Sequence, residues 1–265
     1  MRLHQDIDYA GPVPCGVVRI QCLLRVDAFA LEGGSKRPIV VMIPGGPLPP
    51  GNRETLWPLA RYVAGRGAVV FTADYRSSPE YAGGYPMTFA DVACAIRFAR
   101  SKGADLGGDP ARVTLVAHSF GGFPAAVLTL GSRDYATDHT ACLSQTGDGR
   151  PDALAGIAGI YTLDRIGQDF LATFLGGDRS TAPAAWSAAD AAVLARDDRR
   201  DAPVRLVVGT DDFIAPMAAA DVLATILRDE DRDVLVSVIP DGTHDSVLRN
   251  IVTVDVISQL ANDGR

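Results

Sequence analysis

The segment Ala117-His118-Ser119-Phe120-Gly121-Gly122 follows a short β-branched run, Val113-Thr114-Leu115-Val116, and opens a helix-like run from Phe123 to Leu130. Strand, sharp turn and helix in that order lift a serine out of a sheet on a strained turn. Small residues two places before and two places after the serine keep strand and helix from colliding. Ala117 and Gly121 fill those places, alanine standing where glycine is usual and adding only a methyl. A serine hydroxyl is a weak nucleophile at neutral pH, so Ser119 needs a base. The chain holds four histidines. His4 falls in a terminus expected to be mobile, His118 adjoins Ser119 and is expected to point elsewhere, and His139 sits in a polar loop with no strand before it. His244 follows the last strand-like run and the turn Pro240-Asp241-Gly242-Thr243, which puts it on a loop at the carboxyl edge of a sheet. It is the expected base.

An imidazole in that role needs a carboxylate to fix its tautomer and stabilise the imidazolium. The run Val204 to Val208 leads into Gly209-Thr210-Asp211-Asp212, a turn carrying two carboxylates, one of which is the expected acid. The order Ser119, Asp212, His244, with separations of 93 and 32 residues, is the nucleophile–acid–base order of this strand–turn–helix arrangement. Asp211 is left to cap or brace the loop. As a metal pair the two aspartates are poor, because adjacent side chains diverge and no ligand cluster accompanies them. No metal or other cofactor is expected. A tetrahedral intermediate also needs oxyanion donors, worth about 2.7–4 kcal/mol each. The N–H of Phe120 at a helix start is one. The second is expected from the loop Pro44-Gly45-Gly46-Pro47.

These residues need a scaffold that brings their loops to one edge. From residue 38 onward, apolar runs at 38–43, 68–73, 113–116, 154–160, 204–208 and 234–239 alternate with amphipathic stretches at about 54–66, 88–102, 120–131, 216–229 and 245–261. Alternation of this kind marks an α/β fold with a mostly parallel sheet, and runs that are apolar throughout mark strands covered on both faces. Residues 17–30 are expected to add one or two antiparallel strands. No internal repeat and no linker divides the 265 residues, so a single domain over 1–265 is expected. Two irregular stretches, 132–152 and 161–201, are each placed to cover a site; the second reads equally as a lid or as a lengthened crossover.

Composition excludes several partners. With 25 Lys+Arg against 32 Asp+Glu the formal net charge is −7, and no basic run exceeds short pairs such as Arg199-Arg200, so no nucleic-acid partner is expected. Only Lys36 and Lys102 are available to any lysine-based mechanism. No stretch approaches the ~18 apolar residues of a membrane span, and the amino terminus lacks a secretory apolar segment, which reads as a cytoplasmic chain. Cys15, Cys22, Cys94 and Cys142 show no Cys-x-x-Cys spacing and are expected as free thiols.

Over about residues 37–262 the chain resembles the α/β-hydrolase superfamily, and within it the bacterial esterase/lipase group of hormone-sensitive-lipase-like and feruloyl-esterase-like carboxylesterases. Besides the elbow and the Ser119, Asp212, His244 order, Asp74-Tyr75-Arg76-Ser77-Ser78-Pro79-Glu80, then Tyr85-Pro86 and Asp91, resemble that group's Asp-Tyr-Arg-x-x-Pro-Glu signature. The resemblance implies a structural role for Arg76 and Glu80 in bracing the loop beneath the site. Members usually carry His-Gly-Gly-Gly or His-Gly-Gly-x at the oxyanion loop, whereas here Pro44 replaces the histidine and Pro47 takes the fourth place. Proline has no N–H to give. The hole then relies on Gly46 with Phe120, and Gly45 as the fallback. A large cap before that loop has no room, so a small lid or none is expected.

The resemblance implies a serine carboxylesterase that hydrolyses small or medium acyl esters through an acyl-enzyme, on a small-molecule ester substrate. Pro47, with neighbours up to Arg53, and Phe120, Phe170 and Phe174 are the candidate substrate contacts, although the 170/174 spacing equally fits the core face of a helix. A formamidase, amidase or thioesterase would use the same triad, and a non-catalytic binder on the same fold is the alternative from another class. Oligomeric state has no sequence signal.

Overall fold

The computed structural model describes residues 1–46, 52–198 and 200–263. Its strands are β1 (Arg2–Cys15), β2 (Ile20–Ala30), β3 (Arg37–Ile43), β4 (Val69–Ala73), β5 (Gly108–His118), β6 (Ala153–Ile157), β7 (Val204–Gly209) and β8 (Val234–Ile239). They form one eight-stranded sheet in the order β1-β2-β4-β3-β5-β6-β7-β8. β2 runs antiparallel to β1 and β4, and the pairings from β4 through β8 are parallel. The helices are α1 (Trp57–Gly65), α2 (Met87–Asp105), α3 (Gly122–Leu130), α4 (Gln168–Leu175), α5 (Pro183–Ala188), α6 (Ala191–Asp197), α7 (Met217–Asp229) and α8 (Ile251–Asp263).

Side chains alternate across a strand, and β3 shows why its sequence is apolar at every position. Ile39, Val41 and Ile43 join a core with Phe89 and Ile96 of α2, Phe123 of α3 and Leu223 of α7. Val40 and Met42 join a second core with Leu59 and Val63 of α1 and Ile257 of α8. Both faces are covered, as the continuous apolar runs imply. The run at 234–239 departs from that reading. β8 is an edge strand, and Leu235 and Val238 are exposed.

Two further expectations are corrected. Residues 2–15 form a strand paired with β2, so His4 lies in the sheet and not in a mobile terminus. All four cysteines are paired, as Cys15–Cys22 and Cys94–Cys142, in place of the free thiols expected. The second bridge ties α2 to the 132–152 stretch. Segment 161–201 carries α4, α5 and α6, with Leu171, Phe174, Trp186 and Ala191 packed into the first core.

The topology also dictates where a ligand fits. From β3 the chain crosses through α1 to β4 on one side, and from β5 it crosses through α3 to β6 on the other. Loops that leave neighbouring strands in opposite directions open a crevice at the carboxyl ends of those strands. Here that crevice lies between the loop after β3 and the turn after β5.

Candidate active site

Ser119 is the first residue after β5 and has φ 55°, the left-handed region that a non-glycine residue rarely adopts. That conformation turns the chain sharply into the one-turn helix Ser119–Gly121 and then α3. The carbonyl of Ser119 accepts from Ile160 N at 3.1 Å, which ties the turn to the loop after β6. A Cβ on Gly121 would lie 2.7 Å from the Pro44 carbonyl oxygen, and one on Gly122 2.8 Å from the Tyr161 ring. The small residues after the serine therefore make room for the loop after β3 and for Tyr161.

His244 Nε2 is 2.9 Å from Ser119 Oγ, and His244 Nδ1 is 2.9 Å from Asp212 Oδ2. The other oxygen of Asp212 accepts the main-chain N–H groups of Ile214 at 2.9 Å and Ala215 at 2.8 Å, so the buried carboxylate is satisfied on both sides. Of the two neighbouring aspartates, Asp212 faces the imidazole. Asp211 is exposed, and its N–H donates to the Gly242 carbonyl across the two loops. Both loops are further joined by Thr210 N to Ile239 O and by Asp241 N to Thr210 Oγ1.

The loop after β3 is held by Tyr75, whose hydroxyl donates to the Pro44 carbonyl at 2.9 Å. Gly45 packs directly against Ser119, and Gly46 joins it on the wall of a cleft of about 580 Å³. Ser119, His118 and His244 open into this cleft, with Pro44, Pro58, Leu59, Ile214 and Leu248 as its apolar wall and Asp245 and Arg249 at its polar side. Phe120 is the second residue of the turn Ser119–Gly121, where the first N–H groups of a helix have no intrahelical acceptor. Its ring is buried, in edge-on contact with Phe170 and Phe174 and tilted against Phe123.

Beneath the site the signature segment is braced by buried ion pairs. Arg76 donates through its main-chain N, Nε and Nη2 to Asp91, and His139 Nε2 lies 3.0 Å from the same carboxylate. Burial alone would raise Asp91; the bonds from Arg76 and His139 outweigh it and hold the carboxyl below its ordinary range. Arg53 binds Asp6, Asp27 and Asp74 together. Glu80, expected beside Arg76 as a brace, is exposed on the turn Pro79–Tyr81.

Several candidate substrate contacts are placed elsewhere. Phe174 is a core residue at 1% exposure, in edge contact with Phe89, and neither it nor the half-buried Phe170 is on the wall of the Ser119 cleft. The helical spacing of 170 and 174 reflects the core face of α4. Arg53 is buried and occupied by carboxylates. Pro47 lies outside the described residues. The cleft walls at Pro58, Leu59, Ile214 and Leu248 were not read from the sequence; Ile214 and Leu248 lie within four residues of Asp212 and His244, and that nearness was their signal. His118 was also misread: its ring centroid is 4.7 Å from that of His244.

Among known proteins, carboxylesterase NlhH of Mycobacterium tuberculosis is 38% identical over 98 residues, which is 37% of this chain and 30% of that protein. Esterase LipQ of the same organism is 30% identical over 134 residues, 50% of this chain and 31% of that protein. The matched stretch thus spans about 30% of the length of these relatives. In solved structures, a thermophilic esterase of the planctomycete Thermogutta terrifontis, bound to propionate, has a TM-score of 0.70 at 19% identity, covering 97% of this chain and 94% of that one. A truncated carbohydrate esterase from gut microbiota has a TM-score of 0.76 at 15% identity, covering 100% of this chain and 96% of that one. These likenesses establish the α/β-hydrolase fold. The BD-FAE family model matches residues 29–227, most of the sequence, and the chain belongs to that family.

Proposed function

We propose that this chain is a serine carboxylesterase acting on small or medium acyl esters, with Ser119 as nucleophile, His244 as general base and acid, and Asp212 as the carboxylate that orients it. The observation that carries the reading is the unbroken chain of 2.9 Å contacts from Asp212 through His244 to Ser119, opening into the cleft. Ser119 Oγ attacks the acyl carbon while His244 Nε2 takes its proton, and the electron pair of the carbonyl moves onto oxygen. The main-chain N–H groups of Phe120 and Gly46, with Gly45 in reserve, receive that oxyanion. Collapse expels the alcohol, which takes the proton from His244 and leaves an acyl-serine. Water then gives a proton to His244, attacks the acyl carbon and releases the acid as Ser119 recovers its hydrogen. No step calls on a metal or other cofactor.

A cleft of about 580 Å³ with a mainly apolar wall suits an acyl chain of modest length. The one-piece sheet supports action as a single unit, with segment 161–201 as a crossover built into the core. No helix among the described residues is long and apolar enough to cross a membrane. The paired cysteines favour an oxidising compartment over the cytoplasm expected from the sequence; thiol titration of protein alkylated at lysis separates the two.

The test is Ser119→Ala assayed on p-nitrophenyl acetate and butyrate, with fluorophosphonate labelling of the parent. Loss of turnover and labelling of Ser119 are expected. Turnover at the parent level in the variant removes Ser119 from the mechanism, and labelling without turnover on esters but with turnover on formamides or thioesters moves the substrate class and keeps the triad.

A further inference from the structure

His118, the residue before Ser119, is buried at 8% exposure, yet its imidazole reaches the loop that carries His244. Its Nε2 lies 3.1 Å from the main-chain oxygen of His244, and the two rings face each other at 4.7 Å between centroids and 42° between planes. A carbonyl oxygen only accepts, so the hydrogen in this contact belongs to His118 Nε2. This contact joins the turn after β5 to the His244 loop independently of the Ser119–His244 bond, and it does so one residue from the serine.

We propose that His118 is a positioning residue for His244: as the neutral Nε2–H tautomer it donates to the His244 carbonyl and holds that loop so that the imidazole stays within reach of Ser119 Oγ. The inference rests on the reading of Ser119 and His244 as nucleophile and base. Neutrality follows from the surroundings. Burial is the largest influence and pushes His118 below its ordinary value; the bond to the His244 carbonyl and the carboxylates of Asp245 and Asp212 oppose it, and the charged form of His244 adds to it. His244 becomes an imidazolium during each turnover. A second cation stacked on it would oppose proton abstraction, whereas a neutral ring with a single donor supplies the tether without the charge.

The experiment pairs His118→Leu, which keeps bulk and removes the donor, with His118→Gln, whose side-chain amide can restore one. In His118→Leu, kcat on p-nitrophenyl butyrate is expected to fall roughly 10- to 100-fold, the size of effect that a displacement near 1 Å produces, with KM within about twofold. His118→Gln is expected to recover most of that loss. A second readout does not depend on turnover: nitrogen-15 NMR of the parent identifies the His118 tautomer, and the low-field proton on His244 Nδ1 reports its bond to Asp212. Protonated Nε2 and bare Nδ1 are expected on His118, with the low-field proton kept in His118→Gln and weakened in His118→Leu. The opposite tautomer overturns the proposal, as does a His118→Leu variant with parental kcat and an unchanged low-field proton, or a His118→Gln variant as slow as His118→Leu. Full turnover in Ser119→Ala, with the tautomer as stated, overturns instead the reading of Ser119 as nucleophile.

Discussion

Gly45 and Ser119 face each other so closely that a Cβ built on Gly45 would lie 2.7 Å from the serine Cβ and 3.2 Å from its Oγ. The first of these is a distance that carbon atoms in folded proteins do not tolerate, so glycine at 45 is a requirement of the site. The loop cannot simply retreat, because Tyr75 holds the Pro44 carbonyl from below and Gly121 closes on the same oxygen. Gly45→Ala is therefore expected to push the serine or the loop after β3 aside, lowering kcat/KM about 100-fold or more. Circular dichroism and a thermal melt check that the fold survives. A Gly45→Ala enzyme with parental kcat/KM would mean that the loop yields where the packing says it does not.

The two loops that carry Asp212 and His244 are likewise set against each other. A Cβ on Gly209 would run into the Gly242 carbonyl, 2.5 Å from its carbon, and the hydrogen bonds Thr210 N to Ile239 O, Asp211 N to Gly242 O and Asp241 N to Thr210 Oγ1 stitch the pair. Gly209→Ala is expected to destabilise the protein by about 1–3 kcal/mol through overpacking and, on the proposed mechanism, to lower kcat by separating Asp212 from His244. Thr210→Val removes the hydroxyl that accepts from Asp241 N and donates to Asp211 Oδ1, and is expected to cost about 1 kcal/mol with a smaller loss of kcat. Urea melts and ester kinetics on the same preparations give both quantities. Gly209→Ala with an unchanged urea midpoint would refute the contact.

Which parts of this arrangement could be read before the structure follows from how local each signal is. Ser119, Asp212 and His244 were legible because each sits where an apolar run stops and glycine or a polar turn begins, and a parallel sheet sends all such turns to one edge. Strand β1 was not, because an edge strand interrupted by Gly11-Pro12 has polar residues at most of its first positions and offers no continuous apolar run. The disulfides were not, because Cys15 and Cys22 meet in the register of a β1–β2 hairpin whose first strand has no apolar run to announce it, and Cys94 and Cys142, 48 residues apart, meet only through the tertiary fold. His118 was misjudged for a related reason. A side chain on an elbow takes its direction from whatever loop packs over it, and that loop is 126 residues away in the chain. Phe170 and Phe174 show the reverse error, an apolar helix face that serves the core and was considered for the ligand.

Asp212 and Asp211 are adjacent, and only their environments separate them. Asp212 is buried between His244 Nδ1 and two main-chain N–H groups, while Asp211 is exposed. Asp212→Asn converts the acceptor facing Nδ1 into an amide and permits the wrong imidazole tautomer, for which a loss of kcat approaching about 10⁴-fold is expected. Asp211→Asn is expected to stay within about twofold of the parent, since an exposed side chain far from the proton path contributes little. Steady-state kinetics on one ester suffice. Equal losses in the two variants would return the acid role to the pair as a whole.

Acid sensitivity should come in two windows, because two buried groups titrate differently in the folded and unfolded chain. His118 is held below its ordinary value by burial, so the unfolded chain takes up its proton first, and stability falls as the pH drops through the ordinary imidazole value of about 6.5 towards the folded one. Asp91 is also held below its ordinary value, because the bonds from Arg76 and His139 outweigh its burial; its contribution is complete above the ordinary aspartate value of about 3.9 and is lost as the pH falls through the folded one. Asp91→Asn removes its own share of the second window, to which Asp109, Asp148 and Asp178, held below their ordinary values by their hydrogen bonds, also contribute, and, by leaving the buried Arg76 without its carboxylate, costs about 3–5 kcal/mol near neutrality. His118→Gln removes the first window only. Urea midpoints for the parent and both variants at about pH 7.5, 5.5 and 3.5 resolve the two contributions. A parent whose midpoint is the same at the two higher values would show that His118 takes up its proton as readily in the fold as out of it.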